Sequence, residues 1–251
     1  MAEIIDAPQG GYRFIKGVFQ YSAGVAALPG YRVERVRFAN PVPLLQGFAR
    51  IAETLRAAGR PLAAFCACEL RSPAPFTEQG FLDFNKAYAG VLSEWGLLAR
   101  GDNPVARANV CPAIDPPATP GFHAFSYTVP DAAAAPSFVI AGSGEVEEGR
   151  GNYRDFTVAL GDISPAGIRM KADWVLGEME RRMAALGFGW ADTTGVQVYT
   201  VHDIAPFLPD ALVRRGAARH GVTWQFHRPP VVDLEYEMDC RGVHSERVVA
   251  G

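Results

Sequence analysis

Apolar and polar residues alternate over 31–38, and a period of two predicts a strand there. From position 43 the period changes. Leu44, Leu45, Phe48, Ile51, Ala52 and Leu55 fall on one stripe, which predicts a helix over 43–58 stopped by Gly59. Residues 62–70 are apolar and fit a strand. Thr77 can cap a helix running to about position 95, with Phe81, Phe84, Tyr88, Leu92 and Trp95 at helical spacing. Strands are expected over 105–111 and 123–129, joined by the proline-rich stretch 114–120.

The same order then recurs. A strand over 138–146 contains Gly142 and Gly144, and an acidic, Gly-rich loop follows to 152. Ser164-Pro165 announces a helix whose apolar face carries Ala172, Val175, Leu176, Met179, Met183 and Leu186. Gly187 ends it, as Gly59 ended its counterpart. A strand over 195–201, a shorter helix over 205–219 and strands over 222–226 and 231–240 complete the copy. Ala58-Gly59 matches Leu186-Gly187, and Pro75-Phe76 matches Pro206-Phe207 at nearly the same offset. Chance recurrence of a helix–Gly–strand pattern is the alternative to duplication. The duplicated reading divides the chain into domains 1–132 and 133–251. Its fold class is α/β (α+β), each domain a mixed sheet with two helices on one face.

Composition narrows the function more than the fold. The 251 residues carry a formal net charge of −3, with 49% apolar and 20% charged residues, as in ordinary globular proteins. An acidic balance without a basic-aromatic stripe argues against a nucleic-acid partner. No run reaches the roughly 18 apolar residues of a membrane helix, and the opening MAEIIDAPQGG lacks the apolar core of a secretory signal. A cytoplasmic protein is expected. Its cysteines, Cys66, Cys68, Cys111 and Cys240, have no zinc spacing and read as reduced core thiols. Only Lys16, Lys86 and Lys171 are lysines; the other basic residues are arginines. Coding bias explains that simply, although arginine is also the better carboxylate ligand, because its planar fork donates two parallel hydrogen bonds.

Several short motifs resemble the YjgF/RidA family, in tandem. In the first copy they are Tyr21-Ser22-x-Gly24-Val25, Leu55 to Gly59, Phe84-Asn85-Lys86-Ala87-Tyr88 and Pro104-Val105-Ala106-Arg107-Ala108-Asn109-Val110. In the second they are Phe138 to Gly144 and Leu234-Glu235-Tyr236-Glu237. The tandem form resembles the aminomuconate-type deaminases and, more weakly, the chorismatases. This resemblance implies chorismate-mutase-like barrel domains packed about a threefold or pseudo-threefold axis, with a homotrimer or other homo-oligomer as the assembly. It also implies hydrolysis of an enamine or imine carboxylic acid, plausibly a 2-aminomuconate-like dicarboxylate, to an oxo acid and ammonia. No metal or organic cofactor is implied. A chorismatase-like hydrolase of an enolpyruvyl ether and a non-catalytic metabolite binder are the rival readings.

Arg107 matches the family's carboxylate-gripping arginine; by pattern alone it would be a solvent-facing strand residue, sharing a face with Asn109 and Cys111. The resemblance makes Asn85 and Tyr21 substrate-binding, against a surface helix residue and a core or rim tyrosine. Gly142-Ser143-Gly144 is either a bulge or a place where a ligand approaches backbone N–H groups. Glu235 matches a glutamate that orients the attacking water, whereas alternation with Glu237 and Asp239 makes it one of three carboxylates on a solvated strand face. The first copy has no such carboxylate in His123–Tyr127, and no arginine aligns near His220-Gly221 in the second. One composite site is therefore expected, with Arg107 facing Glu235. Arg214, Arg215 and Arg219 are substitutes or helix-end charges, and Asp203, beside His202, is expected to cap the following helix.

Overall fold

The computed structural model describes residues 2–98, 101–147, 149–150 and 152–250. Its strands, in chain order, are β1 (Ile4–Ala7), β2 (Tyr12–Ile15), β3 (Gly24–Ala27), β4 (Tyr31–Pro43), β5 (Phe65–Arg71), β6 (Ala106–Pro112) and β7 (Gly121–Pro130). Then come β8 (Phe138–Gly144), β9 (Gly195–Tyr199), β10 (Thr223–Gln225), β11 (His227–Arg228), β12 (Glu237–Gly242) and β13 (Ser245–Val249). Three helices accompany them: α1 (Leu44–Ala57), α2 (Glu78–Glu94) and α3 (Pro165–Leu186).

The strands form two mixed sheets, ordered β11-β6-β5-β7-β4-β13 and β1-β2-β3-β8-β12-β9-β10. Among the described residues the ladders leave each sheet with two free edges, so neither closes as a barrel. Helices α1 and α2 bury Phe48, Ile51, Leu55, Tyr88 and Leu92 against the first sheet's Val36, Phe65 and Phe122. Helix α3 buries Ala172, Val175, Leu176, Met179 and Met183 against the second sheet's Phe138, Ile140, Val198 and Met238. A third cluster, with Phe14, Val25, Cys66, Ala106 and Ala141, draws on both sheets. All four cysteines are free and buried. Among the described residues no helix is long and apolar enough to cross a membrane.

Sheet membership does not follow the 132/133 division. Strands β1–β3 join the sheet of the second half through β3–β8 pairing, while β11 and β13 return to the first sheet beside β6 and β4. Among the described residues the second half also has no second α-helix. Over 205–219 the chain makes a short π-helical turn, Leu208–Val213, because Pro206 and Pro209 offer no N–H to an α-helical ladder. The last long strand begins at Glu237 rather than near 231. Pro229-Pro230 has no donors, and Asp233 has a φ of 71°. The N–H groups of Glu235 and Tyr236 are taken by the Glu145 carboxylate at 2.6 and 3.0 Å.

Candidate active site

Arg107 sits on β6 opposite Cys68 of β5 and is buried, not solvent-facing. Helix α2 explains why. Thr77 caps its start, accepting from the Gly80 N–H at 3.1 Å. The helix then buries Phe81, Asn85 and Tyr88 on one stripe. Asn85 thus occupies an apolar-stripe position, and its Oδ1 accepts from Arg107 Nη2 at 2.6 Å. A guanidinium only donates, so this contact turns the Asn85 Nδ2 group away. Four rings surround the guanidinium carbon: Tyr88 at 4.8 Å, Tyr21 at 5.2 Å, and Phe81 and Phe84 at 5.8 Å each. They hold the cation by ring quadrupoles.

Arg107 lines a cavity of about 30 Å³ together with Tyr21, Asn109, Gly142, Gly144 and Glu237. That is room for one or two waters. Tyr21 and Tyr153 line both this chamber and a neighbouring vestibule of about 300 Å³. Three buried donors at or beside the chamber lack an acceptor among the described residues: Arg107 Nη1, Asn85 Nδ2 and Asn109 Nδ2. Orphaned buried donors are costly unless something accepts from them. Asn109 is held by Ser72, whose hydroxyl donates to Asn109 Oδ1 at 2.9 Å. The Cys68 thiol, 3.4 Å from Tyr88 Oη, is pushed up to about 12 by burial, against the Tyr88 hydrogen bond and the Arg107 charge. It is therefore an inert neighbour.

Gly142 lies between Glu237 of β12 and Ala108 of β6. A Cβ there would strike Glu237 Oε1 and come within 3.1 Å of the Ala108 Cα. Behind it, the buried Arg182 of α3 donates to the Ala141 and Gly142 carbonyls at 3.3 and 3.4 Å and to Ser143 Oγ at 3.3 Å. Gly142 thus leaves room for the Glu237 carboxylate beside it, and α3 fixes its strand.

The structure brings Arg107, Asn85, Tyr21, Asn109, Gly142 and Gly144 together, and it moves the carboxylate. Glu235 does not line the chamber. It precedes β12, and its side chain turns to His202 Nε2 at 2.7 Å and Arg228 Nη1 at 3.3 Å. The expected pairing of Arg107 with Glu235 across one cleft is therefore replaced. Glu237, two residues later and buried, lines that chamber. Strand alternation placed both glutamates on one face, but alternation begins only at Glu237. Asp203 caps only locally, accepting from the Ala205 N–H at 2.9 Å. Arg214 and Arg215 pair with Asp210 and with Asp173 and Glu180, away from the chamber. Among the described residues no cluster of three or more His, Cys, Asp or Glu is arranged to hold a metal.

A family model described as 2-aminomuconate deaminase CnbZ matches residues 4–247. The chain belongs to that family. A 2-amino-5-chloromuconate deaminase from Comamonas testosteroni is 51% identical over 251 residues, covering 99% of this chain and 100% of the relative. The protein is accordingly a deaminase, an enzyme acting on C–N bonds. Among solved structures, a chorismatase is 12% identical with a TM-score of 0.45, covering 93% of this chain and 77% of its own. A protein of the Rid family from Yersinia pestis is 16% identical with a TM-score of 0.32, covering 43% and 78%.

Proposed function

We propose that this deaminase hydrolyses a 2-aminomuconate-type enamine dicarboxylate, without a cofactor, and that the chamber at Arg107 is where it does so. The observation that supports this most is the set of unpaired buried donors on Arg107, Asn85 and Asn109, with a buried carboxylate across the chamber. A carboxylate is the ligand that satisfies several converging N–H groups at once. The substrate carboxylate takes the place of the one or two waters that the chamber has room for, with the nitrogen-bearing carbon at its mouth. Its conjugated chain runs between Tyr21 and Tyr153 into the vestibule.

The enamine first shifts to its imine tautomer. Glu237 takes a proton from water as the oxygen bonds to the C=N carbon and hands it to the nitrogen, giving a carbinolamine. The same carboxylate then takes the hydroxyl proton and passes it to the nitrogen as the C=O bond forms and the C–N bond breaks, so that ammonia leaves an oxo acid. Arg107 supplies orientation as well as charge, holding the reacting carbon against the water.

The test is ammonia release from 2-aminomuconate by dialysed, chelator-treated protein. Turnover under those conditions supports the reading. Loss of turnover that a metal or organic cofactor restores overturns its cofactor-free part. Pyruvate release from chorismate, with no ammonia from the enamine, overturns the whole.

A further inference from the structure

Glu145 directly follows Gly144 at the end of β8, and Lys171 projects from the buried face of α3. Both side chains are fully buried, with Lys171 Nζ 3.2 Å from Glu145 Oε1. Lys171 Nζ also donates to the Val158 carbonyl at 2.9 Å. The carboxylate has a second task. Its Oε1 accepts from the Glu235 N–H and its Oε2 from the Tyr236 N–H. These are the last two backbone donors before Glu237, in a stretch whose prolines and positive-φ Asp233 leave it outside any ladder. Leu234 and Glu237, on either side of the clamped pair, both line the chamber.

A fully buried ion pair costs desolvation that an apolar pair would avoid, so it is weak evidence of a stabilising role. Burial pushes the Glu145 carboxyl up, and the backbone N–H groups and Lys171 offset this only in part. What the pair does distinctively is give an irregular backbone two fixed acceptors. We infer that Glu145, oriented by Lys171, is a positioning residue that holds the Leu234–Glu237 backbone so that the Glu237 carboxyl faces the carbon gripped through Arg107. The inference rests on Glu237 being the proton carrier proposed above.

The experiment measures kcat, KM, the pH profile of kcat/KM and thermal stability for full-length Glu145→Gln, Glu237→Gln and the double variant. A glutamine accepts one of the two N–H groups and leaves the other unmet. Expected for Glu145→Gln is a fall in kcat on the order of 10²-fold with KM nearly unchanged, the effect of a small misplacement at the reacting centre. The pH limb that Glu237→Gln abolishes should move. Adding Glu145→Gln to Glu237→Gln should cost little more, because both remove one function. Where Glu145→Gln does not fold, Glu145→Asp keeps the charge beside Lys171 but is too short to span both donors, and is read the same way. A folded Glu145 variant with normal kcat and pH profile overturns the inference, as does a double variant whose losses multiply. Normal kcat in Glu237→Gln instead overturns the proton-carrier reading.

Discussion

At Arg107 the environment is unusual for so large a charge. Its neighbours are four aromatic rings and an amide, and one of its nitrogens has no acceptor among the described residues. A lysine there would keep a point charge but lose the fork. Arg107→Lys should reduce kcat/KM by on the order of 10²-fold or more, checked by steady-state ammonia release. Gly142→Ala should be as damaging, since its methyl would displace Glu237 Oε1; normal turnover in that variant would show that the chamber is not used. Glu235→Gln should leave kcat near wild type, because that side chain is spent on His202 and Arg228. Sequence motifs named Arg107, Asn85 and Tyr21, which the structure sets in contact. They expected Glu235 beside Arg107, where Glu237 lines the chamber instead, because the alternation that predicts faces requires a ladder. What replaces the ladder here is a side chain, Glu145, ninety residues away in sequence.

Helices were the most legible elements. The apolar stripes and the glycine stops placed α1, α2 and α3 within a residue or two, and Gly187 takes the left-handed φ of 87° that a stop requires. Ser164 accepts from the Gly167 N–H at 3.2 Å, so Ser164→Ala should cost about 1 kcal/mol. In a chain of this size that lowers Tm by roughly 2–4 °C, measurable by thermal denaturation with kcat preserved. Strands β1, β2, β3 and β13 were not legible. They are four or five residues long, and they sit beside partners more than a hundred residues away or within a Gly/Pro-rich lead-in. Local periodicity carries no record of such pairing. Asn85 shows the converse: one amide on an otherwise apolar stripe was a visible sign of a buried polar task.

Across the whole molecule, the two sheets are joined by a buried charged network as well as by apolar packing. Arg35 clamps Glu69 at 2.7 and 2.9 Å, and Gln197 Nε2 reaches both Glu69 Oε2 at 3.3 Å and Asp239 Oδ1 at 2.9 Å. Burial opposes the Glu69 charge, yet Arg35, with help from Arg241, holds it well below the ordinary range. Asp239 goes the other way. Burial, reinforced by Glu69, raises it to about 6 against hydrogen bonds from Gln197 and Tyr199. The folded state therefore binds the Asp239 proton more tightly than the unfolded chain does. Its contribution is full below about pH 4 and is lost as pH rises through about 6. Glu69 contributes in the opposite sense, losing stability as pH falls. Comparison with Asp239→Asn isolates the first effect: the variant should gain Tm relative to wild type as pH is raised from 4 to 7, and parallel curves would refute this.

The exchange of strands between halves also has a cost during synthesis. Among the described residues the outer edge of β4 is paired by β13 alone, over Glu34–Phe38, and β13 is translated long after it. While the ribosome works through the intervening residues, that five-residue stretch presents a row of bare amides and carbonyls. A nascent chain halted before residue 245 keeps that row open, a template on which unfinished copies can clump.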